Sequence, residues 1–166
     1  DISHSGIYPQ WGSEGVAKLK YALDGGENFG NASSLHLYGY LPGFAATHGI
    51  KLAASVQHQN VAGKNYYLGN LVNMPRGYKE SFYGSDYLMG CADYAFPIYL
   101  GDVSVWKLAY LKRMQVIPFA DYAVVKGYSG EGTVASGNLR LSSCGASFLV
   151  DIAPFLWGVQ CSVGVR

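Results

Sequence analysis

One short run holds the residue types that could do organised chemistry: Met74-Pro75-Arg76-Gly77-Tyr78, inside a stretch from Asn60 to Asp86 that reads as a long loop. An arginine carried into a poorly solvated interior is costly unless it is paired. Asp93 and Asp121, on later segments, are the candidate partners. Bidentate contact with a carboxylate would hold the loop inside a barrel lumen. Gly77 would permit a sharp turn and a close backbone approach. An exposed arginine on an ordinary outer loop is the plainer alternative.

Other chemistry finds no pattern to rest on. His4, His36, His48 and His58 form neither His-x-x-x-His nor His-Glu-x-x-His, so no metal site is expected. There is no Gly-x-Ser-x-Gly elbow and no phosphate-binding glycine spacing, and the carboxylates form no convincing acid/base pair. The expectation is therefore no enzyme, no catalytic residue and no cofactor. Cys91, Cys144 and Cys161 are an odd count without Cys-x-x-Cys, and read as small apolar fillers.

The elements that must position the loop are strands. Ile50, Leu52, Ala54 and Val56 oppose Lys51, Ala53, Ser55, Gln57 and Gln59, which gives one apolar and one wet face. The same alternation runs through Val16–Leu23, Tyr87–Ile98 and Phe155–Val165, and more weakly through Ser33–Leu41, Gln115–Val125 and Asn138–Asp151. In Tyr87–Ile98 it puts Asp93 with Tyr87, Met89, Cys91 and Ala95, opposite Leu88, Gly90, Ala92, Tyr94, Phe96 and Ile98. For Asn138–Asp151 the alternation does not say which face is apolar. The segment from Asp102 to Arg113 reads as strand or strand-loop. About seven strands of roughly 9–13 residues result, longer than usual globular strands and near the 9–11 residues of a tilted membrane strand.

Turns are expected at Asp24 to Gly30, at Leu41-Pro42-Gly43 and at Ala153-Pro154, so short and long connections alternate. Tyr38, Tyr40, Tyr66, Tyr67, Tyr94, Tyr99, Trp106, Tyr110 and Trp157 fall near strand ends, where an interfacial aromatic girdle would put them. Ordinary strand propensity would also place them there.

Composition agrees. Charged residues are only 14% of the 166, against about 25% in soluble domains. Net charge is +1, so nothing electrostatic points to nucleic acid or anionic lipid. Mean hydropathy is +0.08, and no apolar run is long enough for a transmembrane helix. No repeat or linker marks a boundary, so residues 1–166 read as a single domain.

The order of these pieces resembles the bacterial surface-antigen superfamily, the outer-membrane assembly and translocation barrels, in a Bacteroidetes-type relative. Pro75-Arg76-Gly77-Tyr78 resembles that family's loop motif, and Ala92-Asp93-Tyr94-Ala95-Phe96-Pro97-Ile98 the strand after it. Phe119-Ala120-Asp121-Tyr122-Ala123 resembles the next strand, and Ser143-Cys144-Gly145-Ala146 to Leu149 the following one. Tyr40-Leu41-Pro42-Gly43 and His48 to Leu52 resemble the turn and strand before the loop. The resemblance implies a sixteen-stranded barrel with the motif loop in its lumen and Arg76 on Asp121, with Asp93 as a second partner. Asp93 stands where the family usually has Glu, and Arg166 ends the chain without a terminal aromatic strand.

The expectation is an all-β, antiparallel transmembrane barrel, present in part as about seven to eight strands. The chain would be the C-terminal portion, a fragment lacking the N-terminal part and the last strand. It would lie in the bacterial outer membrane against lipid, with a periplasmic domain of the same polypeptide upstream as a candidate partner, and assist insertion or translocation of proteins or other cargo. A soluble β-sandwich or small β-barrel binding module is the alternative.

Overall fold

The computed structural model describes residues 8–24, 27–60, 68–78, 84–105, 109–127, 138–154 and 161–165. All regular structure among them is strand: β1 (Gly12–Asp24), β2 (Glu27–Pro42), β3 (Gly49–Asn60), β4 (Asp86–Val105), β5 (Ala109–Lys126), β6 (Asn138–Pro154) and β7 (Cys161–Val165). The seven lie in one sheet in chain order, each antiparallel to the next. Among the described residues β1 and β7 are its two edges and do not pair, so the sheet is open.

Alternation fixes the register, because a one-residue slip would turn every side chain to the other face. On β3, Ser55, Gln57 and Gln59 are buried, whereas Ala54, Val56, His58 and Asn60 are exposed. The register carries this division across the sheet. Ser34 and His36 on β2, Asp93 on β4, Asp121 on β5 and Ser147 on β6 share the buried face. This loop face carries residues 68–78. The other, open face carries Leu19, Leu37, Leu52, Leu88, Ile98 and Tyr122, all exposed. The arrangement inverts that of a water-soluble sheet: Leu37 is 51% exposed while its neighbour His36 is 4% exposed.

Several expectations need correction. β1 and β3, at 13 and 12 residues, match the expected length, whereas β2, β4, β5 and β6 run 16 to 20 residues, longer than the alternation suggested. Proline is the reason on β4 and β5. It gives no ladder N–H, so it reads as a strand terminator. Here the chain absorbs Pro97 at a register shift, and near Pro118 the pairing passes from Asp93↔Phe119 to Phe96↔Val116. Residues 102–105 end β4 and 109–113 begin β5, paired with each other, so the strand reading of that segment holds over its described residues. Gly30 lies within β2, and Ala153-Pro154 within β6 rather than in a turn. The final strand is described only over Cys161–Val165, and Trp157 and Arg166 lie outside the described residues. So do Tyr66, Tyr67 and Trp106. Tyr38 and Tyr40 stand on the loop face, opposite Ala53 and Lys51, so they cannot belong to an outward girdle. Tyr94 is on the open face, and of Tyr99 and Tyr110 only the backbone is described.

Candidate functional site

Residues 68–78 are tied to four successive strands. Gln57 of β3 acts as a surrogate backbone: its Oε1 accepts from the N–H groups of Leu71 (2.5 Å) and Val72 (3.2 Å), and its Nε2 donates to Asn70 Oδ1 (3.3 Å). This meets backbone donors that burial would otherwise leave unpaired. Tyr87 of β4 donates its hydroxyl to the Asn73 carbonyl oxygen at 3.4 Å. Val72 packs into a buried cluster with Tyr87, Ala123, Val125 and Leu141, flanked by Met74, Met89 and Leu139. Pro75 is fully buried.

Arg76 is the centre of the site. Its Nε donates to Asp121 Oδ2 at 2.8 Å and its Nη2 to Asp121 Oδ1 at 2.5 Å, a two-point fork. The Arg76 backbone N–H also reaches Asp121 Oδ2, at 2.8 Å, so one carboxylate fixes both main chain and side chain. Nη2 further donates to Asp93 Oδ1 at 2.5 Å. The Asp121 side chain is fully shielded from solvent, and those of Asp93 and Arg76 nearly so. Hydrogen bonding to Asp121, and then to Asp93, raises the Arg76 pKa above the usual guanidinium value against the opposing pull of burial. Arg76 therefore stays charged throughout the usable pH range.

The turn that presents Arg76 needs the next residue. Gly77 has φ +89°, where a side chain would be strained. Beyond it, the Tyr78 hydroxyl donates to the Ser142 carbonyl oxygen (3.0 Å) and accepts from the Ser142 N–H (3.3 Å), so the motif reaches β6 as well.

Beneath the guanidinium lies an aromatic ring. Arg76 Cζ sits 3.8 Å from the centre of the Phe119 ring, a stacked cation–π contact. Phe119 is opposite Gly145 on β6, and a Cβ built on Gly145 would come within 2.8 Å of the ring's Cζ. Gly145 is thus the bed for the ring on which Arg76 rests. We expect Gly145→Ala to push Phe119 from beneath Arg76 and lower stability by about 1–3 kcal/mol, the usual cost of overpacking. At Gly90 an added Cβ meets nothing within 4 Å, so Gly90→Ala is the control. Denaturant midpoints measure both, and equal shifts would show that the ring has no defined seat.

The surroundings complete the charge arrangement. Tyr8 donates its hydroxyl to Asp93 Oδ2 at 3.4 Å. Burial, and then the negative Asp93, push the Tyr8 pKa up to about 12, so the donor keeps its proton at neutral pH. Lys51, opposite Asp93 in register, lies 5.4 Å from the Tyr38 ring centre. Cys91, Asp93 and Asp121 bring ligand atoms within 4.8 Å of one another, as a metal group would. Arg76 Nη2 contacts all three, so the guanidinium is the cation they share. A second pair, Arg113 with Asp151, joins β5 to β6, with Nε donating to Oδ2 at 2.7 Å. His36 lies 3.1 Å from Ser34 Oγ and 3.0 Å from Ser55 Oγ, and no carboxylate among the described residues orients its ring.

The structure brings Pro75, Arg76, Gly77, Tyr78, Asp93 and Asp121 together. Sequence reading missed Gln57, Tyr87, Phe119 and Gly145. The position of Gln57 on the wet face of β3 was the one signal available for it. Arginine and both carboxylates are committed to one another, so the arrangement fixes a loop. Among known proteins, the chain matches no family model, no curated protein and no solved structure.

Proposed function

We propose that the chain forms part of an outer-membrane β-barrel, its open face against lipid and its loop face lining a lumen held partly closed by residues 68–78. The observation that carries this reading is the distribution of polarity: Leu, Val and Ile exposed on one face, and Ser, Gln, His and Asp buried on the other beside a small apolar cluster of Tyr87, Val125 and Leu141. Water penalises such a sheet, whereas a bilayer rewards it.

The open face has the banding a bilayer asks for. At the long-loop end, Ser33, His58, Asp86, Lys126 and Asn138 share one cross-strand row. The next row is Leu35, Val56, Leu88 and Val124, ending at Arg140. Below it the described residues of the open face are apolar or small, Tyr122 apart, as far as an aromatic group at the other end. There Tyr94 lies 5.9 Å from Phe44 and 6.2 Å from Phe96 between ring centres, and His48 Nδ1 is 2.7 Å from the Tyr94 hydroxyl. Leu88 to Ile98 covers roughly 33 Å along the strand, or about 25 Å at a tilt of about 40°, the height of a barrel's apolar band.

The order of the Arg76, Asp93 and Asp121 segments, read as a resemblance to the surface-antigen barrels, supports a role in insertion or translocation of polypeptides or other cargo. The same resemblance supports bacterial outer-membrane localisation. The test is to fold the purified chain with and without detergent. A folded state that requires detergent or lipid, and migrates differently on a gel before and after boiling, is the expected result. A monodisperse, cooperatively folding monomer in plain buffer would overturn the reading in favour of a soluble β-sandwich or small-barrel binding module. Such a module needs a second layer over the open face, and the described strands supply one sheet.

A further inference from the structure

The open face is not uniformly smooth. Just inside its polar row runs a groove of about 800 Å³, within the size range of small-molecule sites. Its floor and walls are Leu19, Leu35, Val56, Leu88 and Val124. Its long-loop end is closed by His58, Asp86 and Lys126. Arg140 stands beside Val124 on the same face, one row from Lys126. The site is therefore apolar along its length and mixed in charge at one end, where Lys126, with Arg140 just beyond the lining, outnumbers Asp86.

We infer that this groove seats an acyl chain of an anionic phospholipid, from the leaflet at the long-loop end, with the phosphate held by Lys126 and Arg140. The inference rests on the membrane reading above and names a ligand for that face. Lys126 and Arg140 meet a phosphate at the depth where a headgroup lies, directly above the apolar rows that meet its chain. Asp86 does not oppose the anion freely: its Oδ1 faces His58 Nδ1 at 2.7 Å, and its Oδ2 accepts from Ser85 Oγ at 3.1 Å. That pairing forms the acidic side of the rim, and the ammonium and guanidinium form the basic side. A zwitterionic headgroup brings its own cation beside the phosphate, which Lys126 and Arg140 would repel.

The experiment uses the full chain folded in zwitterionic detergent. Native mass spectrometry follows addition of dimyristoyl phosphatidic acid or dimyristoyl phosphatidylcholine at equal concentration. The wild type is expected to retain the phosphatidic acid about tenfold more, since each Lys or Arg near an anionic lipid contributes on the order of fivefold and Asp86 offsets part of it. K126E with R140E should bring the two lipids to parity. Val56→Trp, which fills the groove, should lower retention of both. Equal retention by the wild type, a preference that survives K126E/R140E, or full retention by Val56→Trp would each overturn the inference while leaving the barrel reading intact. A chain that folds in plain buffer and takes up neither lipid would overturn both.

Discussion

Replacing Arg76 with alanine is expected to free residues 68–78 from the sheet and cost about 3–5 kcal/mol of stability, the range found when one partner of a buried ion pair is removed. The arginine is the shared cation of two shielded carboxylates, Asp93 and Asp121. Without it they stand side by side with no counter-charge, and one must take up a proton or draw in water. Asp121→Ala should cost nearly as much, because it removes the fork and also the acceptor of the Arg76 backbone N–H. Asp93→Ala should cost less, since Asp93 receives one bond from the arginine and Asp121 remains to neutralise it. Arg76→Lys should fall between, keeping the charge but losing the two-point geometry and the stacking on Phe119. Denaturant unfolding of the detergent-folded chain gives the stability order. Limited proteolysis within residues 68–78 reports the loop directly. Unchanged midpoints and an unchanged cleavage rate for Arg76→Ala would show that the ion pairs do not hold the loop.

The parts of this site legible in the sequence were those that a single strand can encode. Alternation on β3 and β4 separates Leu52 and Val56 from Gln57, and Leu88 from Asp93, without reference to a neighbour. What stayed hidden depends on cross-strand register. On β6, Ser143, Gly145 and Ser147 oppose Ser142, Cys144 and Ala146, and residues so alike give no hydrophobic contrast. Only the pairing with Phe119 and Asp121 says which of them face the loop. Phe119 and Gly145 are far apart in sequence, and each alone is unremarkable: a strand aromatic and a strand glycine. Gln57 is plainly polar, but its use as a partner for loop backbone requires the loop's path. Tyr38 and Tyr40 were misassigned because their type suits an interface, although their spacing from Ser34 and His36 already put them on the wet face. Pro97 and Pro118 hid the true strand lengths, since a ladder that tolerates proline, through a register shift at Pro97 and a gap in the β4–β5 pairing at Pro118, looks, along the chain, like one that ends.

The second large effect separates lipid from water on the open face. Leu37 is half-exposed in a row with Ala54, Gly90, Tyr122 and Ser142, midway between the polar row and the row of Tyr94. If that row faces hydrocarbon, Leu37→Arg places a guanidinium near the bilayer midplane, which costs about 2–4 kcal/mol in a transmembrane barrel. Ser33→Arg, on the same face but in the polar row with His58 and Asp86, should cost about 0–1 kcal/mol, because the penalty fades towards the interface. The diagnostic quantity is the gradient between the two, read as unfolding midpoints of the chain folded into bilayers. A half-exposed leucine facing water predicts something different: surface substitutions usually stay within about 0.5 kcal/mol, with no dependence on depth. Two small and equal effects would therefore remove the bilayer from the account and leave an apolar sheet face in need of another cover. A steep gradient would tie the exposed leucines to lipid by position as well as by composition, because depth in a membrane is the variable that orders these two exposed sites on one face.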